Sequence, residues 1–326
     1  MQVTNHYGVN LLLAVWLVND NYDHDPDPKA ISASALVKPL KKYILGKRVH
    51  PANKKMDVAD LMASALGSSI HDAIEAVWVD DVKRTKSLDK LGIPRAVQER
   101  IKINPDPATV TEDDIPIYFE QRSERLFNGW RITGKFDAVA EGEVNDFKTT
   151  GTYSYTKGKK DDDYRYQLSI YKWLNPEIIT VTENGKINFG FTDWQGFRAN
   201  QDAKYPEKRF VTSNYDLMSN AEVEARIAQR LKDIEKYKDA PEDEIPECTP
   251  DDLWMDDPTY KYYSDPAKAN QPGARSSKNF SCPNEAQAYL MEKGKGIIKT
   301  VLGSPKACGY CDAFEICEQK DRYEQL

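Results

Sequence analysis

Cysteine is missing from the first 247 residues: all five lie between Cys248 and Cys317. A scaffold stapled along its length by disulfides is therefore excluded, and most of the chain must be held by a buried core. Long hydrophobic runs are missing too. The longest, Leu11–Val18, is far short of a membrane span and has acidic rather than basic flanks, so neither an anchor nor a secretory leader is expected, and the protein is expected in the cytoplasm. Positive charge is not in excess: 45 Lys and Arg stand against 52 Asp and Glu, a net charge of −7. That balance argues against coating nucleic acid through bulk electrostatics. No self-similarity recurs at a fixed period, which excludes a repeat architecture.

What is present is a chain of 326 residues, 40% hydrophobic, able to bury one sizeable core of mixed α/β type with appendages. Three parts are expected. Residues 1–60 read as a helical arm, with Asp25-Pro26-Asp27-Pro28 as a turn and a helix from Ile31-Ser32-Ala33-Ser34 to about Leu45. Residues 61–240 form the core and end in an amphipathic helix, opened by the capping box Ser219-x-x-Glu222 and carrying Val223, Ile227, Leu231 and Ile234. The acidic stretch Pro241–Pro246 then leads into 241–326, which holds the cysteines.

Within the core, Trp130–Val139 and Glu143–Thr150 have the pattern of paired strands joined at Glu141-Gly142. Asp137 falls near the end of the first. Side chains alternate along a strand, so Asp146 and Lys148 share a face while Phe147 turns to the core and offers its carbonyl. Two aspartates and a carbonyl are the hard oxygen ligands that Mg²⁺ or Mn²⁺ takes when it polarises a phosphate, and the lysine can hold the attacking water and offset developing charge. The same D-x-K triplet at Asp27-Pro28-Lys29, Asp81-Val82-Lys83 and Asp202-Ala203-Lys204 has no such strand context; a surface hairpin with incidental charges is the alternative for Asp146. Downstream, Tyr164–Leu174 has a helical pattern that puts Gln167 and Tyr171 on one face, with Leu168, Ile170, Trp173 and Leu174 free to pack on the sheet. Upstream, Gly67–Trp78 reads as a helix with His71 and Glu75 on one face.

The succession Gly67-x-x-x-His71, Gly134-x-x-Asp137, Asp146-x-Lys148 and Gln167-x-x-x-Tyr171 resembles the RecB-type branch of the PD-(D/E)XK nuclease superfamily. The resemblance covers about residues 60–175 and implies a restriction-endonuclease-like core, a mixed central sheet flanked by helices. It further implies that His71, Asp137 and Asp146 bind Mg²⁺ or Mn²⁺ together with the Phe147 carbonyl, that Lys148 assists the hydrolytic water, and that Gln167 and Tyr171 position a DNA strand. Glu75 is an accessory candidate that either braces His71 or faces solvent.

Binding to DNA would have to be local in so acidic a chain. Candidate phosphate contacts are Lys157, Lys159 and Lys160 before the Gln-Tyr helix, and Lys38, Lys41, Lys42, Lys47 and Arg48 in the arm. Tyr153, Tyr155, Tyr164 and Tyr166 are available near the first cluster to stack on unpaired bases. A loop whose lysines offset Asp161-Asp162-Asp163 is the alternative. In the last part, Cys308-x-x-Cys311-x5-Cys317 has the spacing of metal ligands. By resemblance to phage-encoded nucleases of this superfamily, the group is expected to hold a [4Fe–4S] cluster with Cys248 as the fourth ligand. Family members usually place one cysteine before the nuclease motifs; this chain has none there, so Cys282 competes with Cys248, and Zn²⁺ competes with the cluster. The expected protein is a phage-type, metal-dependent DNA exonuclease acting on single strands or DNA ends, with phage replication or recombination proteins as partners. A structure-specific endonuclease and a non-catalytic DNA-binding relative are the alternatives.

Overall fold

A computed structural model describes residues 2–19 and 25–323. They form two compact units, the first from Met1–Lys38 and Lys55–Glu235, the second from Pro39–Lys54 and Lys236–Leu326. Residues 39–54 thus group with 236–326 rather than with the rest of 1–60. The reason lies in contacts of the helix Leu40–Arg48: Lys41 is buried against Glu242 (3.0 Å), and the Arg48 guanidinium donates to the carbonyls of Tyr237, Lys238 and Ala240. The long helix expected from Ile31 is also divided. Ala30–Ser32 is a strand, Ser32 caps a one-turn helix Ala33–Leu36, and the chain breaks before Pro39, whose ring disfavours helical backbone at the residue preceding it.

The first unit is built on a mixed six-stranded sheet. Its strands are β1 (Ile101–Ile103), β2 (Ile115–Phe119), β3 (Ala138–Ala140), β4 (Glu143–Thr150), β5 (Asn184–Phe191) and β6 (Phe210–Asp216). They lie side by side in chain order, with β1–β2 and β4–β5 parallel and the other pairs antiparallel. Glu141 and Gly142 join β3 to β4 with φ of 50° and 80°, the two left-handed residues of a tight hairpin turn.

The expected strand Trp130–Val139 is in fact two. Trp130–Lys135 belongs to a separate three-stranded sheet with Ala30–Ser32 and Arg122–Phe127, and the chain passes through Phe136 and Asp137 before entering β3. Trp130, Ile132, Gly134, Phe136 and Ala138 stay buried across the break, so the alternation in sequence runs straight through it.

Helices α1 (Met62–Val79), α2 (Asp161–Leu174) and α3 (Asn220–Tyr237) carry the remaining motifs. On α1, Ile74 and Trp78 pack with Phe147 on the cluster Ile117, Phe119 and Ala138. On α2, Leu168, Ile170, Trp173 and Leu174 are buried as their spacing predicts. A Cβ at Gly134 would lie 2.7 Å from Leu174 Cδ1 and 3.2 Å from the Tyr171 ring, so α2 is seated on bare backbone there. Helix α3 has the predicted capping box, with Ser219 N donating to Glu222 Oε2 (2.7 Å) and Glu222 N to Ser219 Oγ (3.3 Å), and it buries Val223, Ile227, Leu231 and Ile234.

The second unit contains an antiparallel sheet of β7 (Thr259–Tyr263) between β8 (Lys278–Phe280) and β9 (Ile297–Val301), with α4 (Pro283–Lys293) against it. Short 3₁₀ turns at Lys306–Tyr310, Phe314–Ile316 and Glu318–Arg322 surround the last three cysteines. No helix among the described residues is long and apolar enough to cross a membrane.

Candidate metal centre

Pairing between β3 and β4 stops at Asn145, and the charged residues gather where β4 runs on alone along that side. Asp137, at the crossover between sheets, accepts from the Phe147 amide through Oδ2 (2.7 Å), which turns Oδ1 outward. The Phe147 carbonyl faces His71 Nε2 at 2.9 Å. A carbonyl only accepts, so Nε2 carries the proton and the Nδ1 lone pair is turned to Asp137 Oδ1 (3.5 Å) and Glu120 Oε1 (3.8 Å).

Glu120 belongs to no motif and was not legible as a site residue. It follows β2 with φ 50°, a conformation costly for a residue with a Cβ; its amide donates to the Asp137 carbonyl (3.1 Å) and its carboxylate pairs with Lys135. His71, Glu120 and Asp137 bring ligand atoms within 4.8 Å of one another. Three electron-rich atoms facing each other repel unless a cation lies among them; the two carboxylates suit Mg²⁺ or Mn²⁺, and the imidazole nitrogen tilts the set toward Mn²⁺.

Asp146 stands beside this group rather than in it. Its side chain is 1% exposed, forms an ion pair with Lys148, and has both oxygens buried without a hydrogen-bond donor in favourable geometry. Burial pushes the Asp137 carboxyl well above the usual carboxylate range, and Asp146 pushes the same way against the pull of Lys148 and the Phe147 amide. Burial works against the charge on Lys148, but Asp146 and Asp137 outweigh it and hold the ammonium above its ordinary value. These are the signs of carboxylates buried and crowded together. Glu75 is half-buried, its carboxyl raised by burial and then by Glu120. On α2, Gln167 donates to the Tyr171 hydroxyl (3.0 Å), and Tyr171 is buried close enough to Asp146 and Asp137 for their charges to raise it further.

Lys157 ends the helix Thr152–Lys157 with its ammonium over the Tyr153 ring, and Lys159 and Lys160 follow just before α2. Asp161 accepts from Tyr215 and Asp162 pairs with Arg226. Tyr166 is buried, while Tyr155 and Tyr164 pack edge-on against Phe189, so only Tyr153 of the four tyrosines is an exposed ring. Lys41 is buried against Glu242, and Nη2 of the exposed Arg48 is held by three backbone carbonyls.

In the second unit, Cys248, Cys308, Cys311 and Cys317 line one cavity of about 40 Å³ together with Lys41 and Lys42. Cys282, at the start of α4, does not line it. Gln319 clamps the Cys248 backbone from both sides, accepting from its amide (3.0 Å) and donating to its carbonyl (2.9 Å). Burial pushes the Cys248 thiol up to about 12, with Asp252 and the neighbouring cysteines adding to it, and raises Cys308 and Cys317 as well.

No family of known proteins matches the chain, and no curated protein does. Among solved structures it is similar to SSO0001, with 14% identity and a TM-score of 0.43 over 70% of this chain and 88% of that one. At that distance the likeness bears on neither function nor chemistry.

Proposed function

We propose that the first unit is a divalent-metal-dependent deoxyribonuclease of RecB type, an exonuclease of phage replication or recombination that acts on single strands or DNA ends. The observation that carries this reading is the meeting of His71, Glu120, Asp137, Asp146 and Lys148 at one end of β4. His71, Glu120 and Asp137, with Asp146 beside them, would hold Mg²⁺ or Mn²⁺, which would supply a Lewis acid for the scissile phosphate. Lys148 holds the attacking water and balances charge that builds on the phosphate oxygens, a role that needs its ammonium kept charged, as Asp146 and Asp137 keep it. Gln167 and Tyr171 position the strand, their side chains fixed to each other.

The cysteine cavity holds a metal group with a structural role. Four thiolates on Cys248, Cys308, Cys311 and Cys317 suit a [4Fe–4S] cluster, with a single Zn²⁺ as the alternative.

End-labelled single- and double-stranded DNA, linear and circular, tests the activity in Mg²⁺, Mn²⁺ and EDTA. Linear DNA should be shortened from its ends only with metal, and Asp146→Ala should bind DNA without cutting it. Undiminished turnover in Asp146→Ala, or no cleavage by the folded protein with either metal, overturns the proposal.

A further inference from the structure

Beyond His71 the sheet carries a groove of about 220 Å³ whose floor is β4, β5 and β6 and whose wall is α1. Strand pairing fixes what the floor presents. Phe147 pairs with Asn188 and Thr149 with Gly190 across β4 and β5; Asn188 pairs with Thr212 and Gly190 with Phe210 across β5 and β6. Side chains of paired residues share a face, so one level of the floor sets Asn188 and Thr212 beside Phe147 and the next sets the Phe210 ring beside Gly190.

At the polar level Thr212 Oγ1 donates to Asn188 Oδ1 (2.7 Å), and Asn188 Nδ2 donates to Asn145 Oδ1 (3.2 Å). That leaves Asn188 a second N–H and Thr212 its oxygen lone pairs for another molecule. At the other level the Phe210 ring, 69% exposed, lies across Gly190.

Two facts narrow the occupant. In a chain with 52 Asp and Glu, no carboxylate lines this groove, and its charged or titratable residues are His71 and Lys148, both of the metal centre. A flat ring with polar edges, joined to a phosphate that reaches the metal centre past His71, fits both levels at once. A duplex cannot present such a ring, because its base faces are covered by neighbouring pairs.

We infer that this groove binds one unstacked nucleobase of a single strand, stacked on Phe210 and held at its edge by Asn188 and Thr212, next to the phosphate to be cut. The inference rests on the nuclease reading above and makes the protein selective for unpaired ends.

The test uses the full, metal-loaded protein with Ca²⁺ in place of Mg²⁺, and a single-stranded oligodeoxynucleotide carrying 2-aminopurine. Wild type should quench the probe on binding, whereas Phe210→Ala should bind it between about 5-fold and about 100-fold more weakly, as for loss of one base–aromatic stack, without quenching. Phe210→Trp should restore both affinity and quenching. Phe197→Ala, at an equally prominent ring outside the groove (62% exposed), should match wild type. In Mg²⁺, Phe210→Ala should raise KM for single strands more than for blunt duplex. Cleavage by wild type with unchanged binding and KM in Phe210→Ala overturns the groove while leaving the nuclease intact; equal losses on blunt duplex, or in Phe197→Ala, also overturn it. Absence of cleavage by wild type strikes the nuclease reading instead.

Discussion

The carboxylate centre of the first unit and the cysteine cavity of the second both gather candidate metal ligands, but they are held in opposite ways. The centre is built from a sheet, a helix and a backbone crossover, and its anions already have Lys148 and Lys135 against them. The cavity is built from short turns, the thiols of Cys248, Cys308 and Cys317 pushed up by burial and its walls tied by Gln319 and by Glu242, which accepts the Glu318 amide and pairs with Lys41. A site for chemistry must exist before its ion arrives, with positions open to water and substrate. A structural site can be folded by its ion, because binding energy then serves as folding energy.

The largest effect should follow from breaking the second arrangement. Cys248→Ser should lose its metal and, with it, the unfolding transition of the second unit in calorimetry, whereas Cys282→Ser should keep both; full metal content in Cys248→Ser would erase the contrast between the two sites. In the first unit, Lys148→Ala should lower turnover at saturating DNA by about 10²–10³-fold with the circular dichroism unchanged, and Tyr171→Phe should cost less. If the tyrosine proves the more damaging, α2 takes part in the chemistry and the division of roles fails. Glu120→Ala should raise the Mg²⁺ concentration for half-maximal activity by about 10–100-fold; an unchanged metal dependence would return the third ligand position to Asp146. The smallest effect is expected from Ser219→Ala, which removes the cap of α3 and should lower stability by about 1 kcal/mol in denaturant titration while leaving both metal sites loaded.

What the sequence showed was local. Spacing alone placed Gln167 with Tyr171, the face shared by Asp146 and Lys148, and the reciprocal cap at Ser219, because each depends on residues within a few positions of one another. Three things were hidden. The break at Phe136–Asp137 keeps the alternation of a continuous strand, so nothing in the residues marks the change of sheet. Glu120 reaches His71 through an unusual backbone turn that carries no composition signal. The placing of Leu40–Arg48 with the cysteines rests on Lys41–Glu242, a contact between residues 201 apart in the chain. Pro39 was visible and should have ended the preceding helix.

Because the six strands lie side by side in the order in which they are made, each finds its neighbour already present. Glu120, Asp137, Asp146 and Lys148 all fall between positions 120 and 148 of that succession. The second unit needs Pro39–Lys54 to wait for the chain from Lys236 onward, with 181 residues (235 − 55 + 1) emerging in between. On a translating ribosome the carboxylate centre is therefore the elder of the two sites, assembled while the cysteines that will line the other are still untranslated.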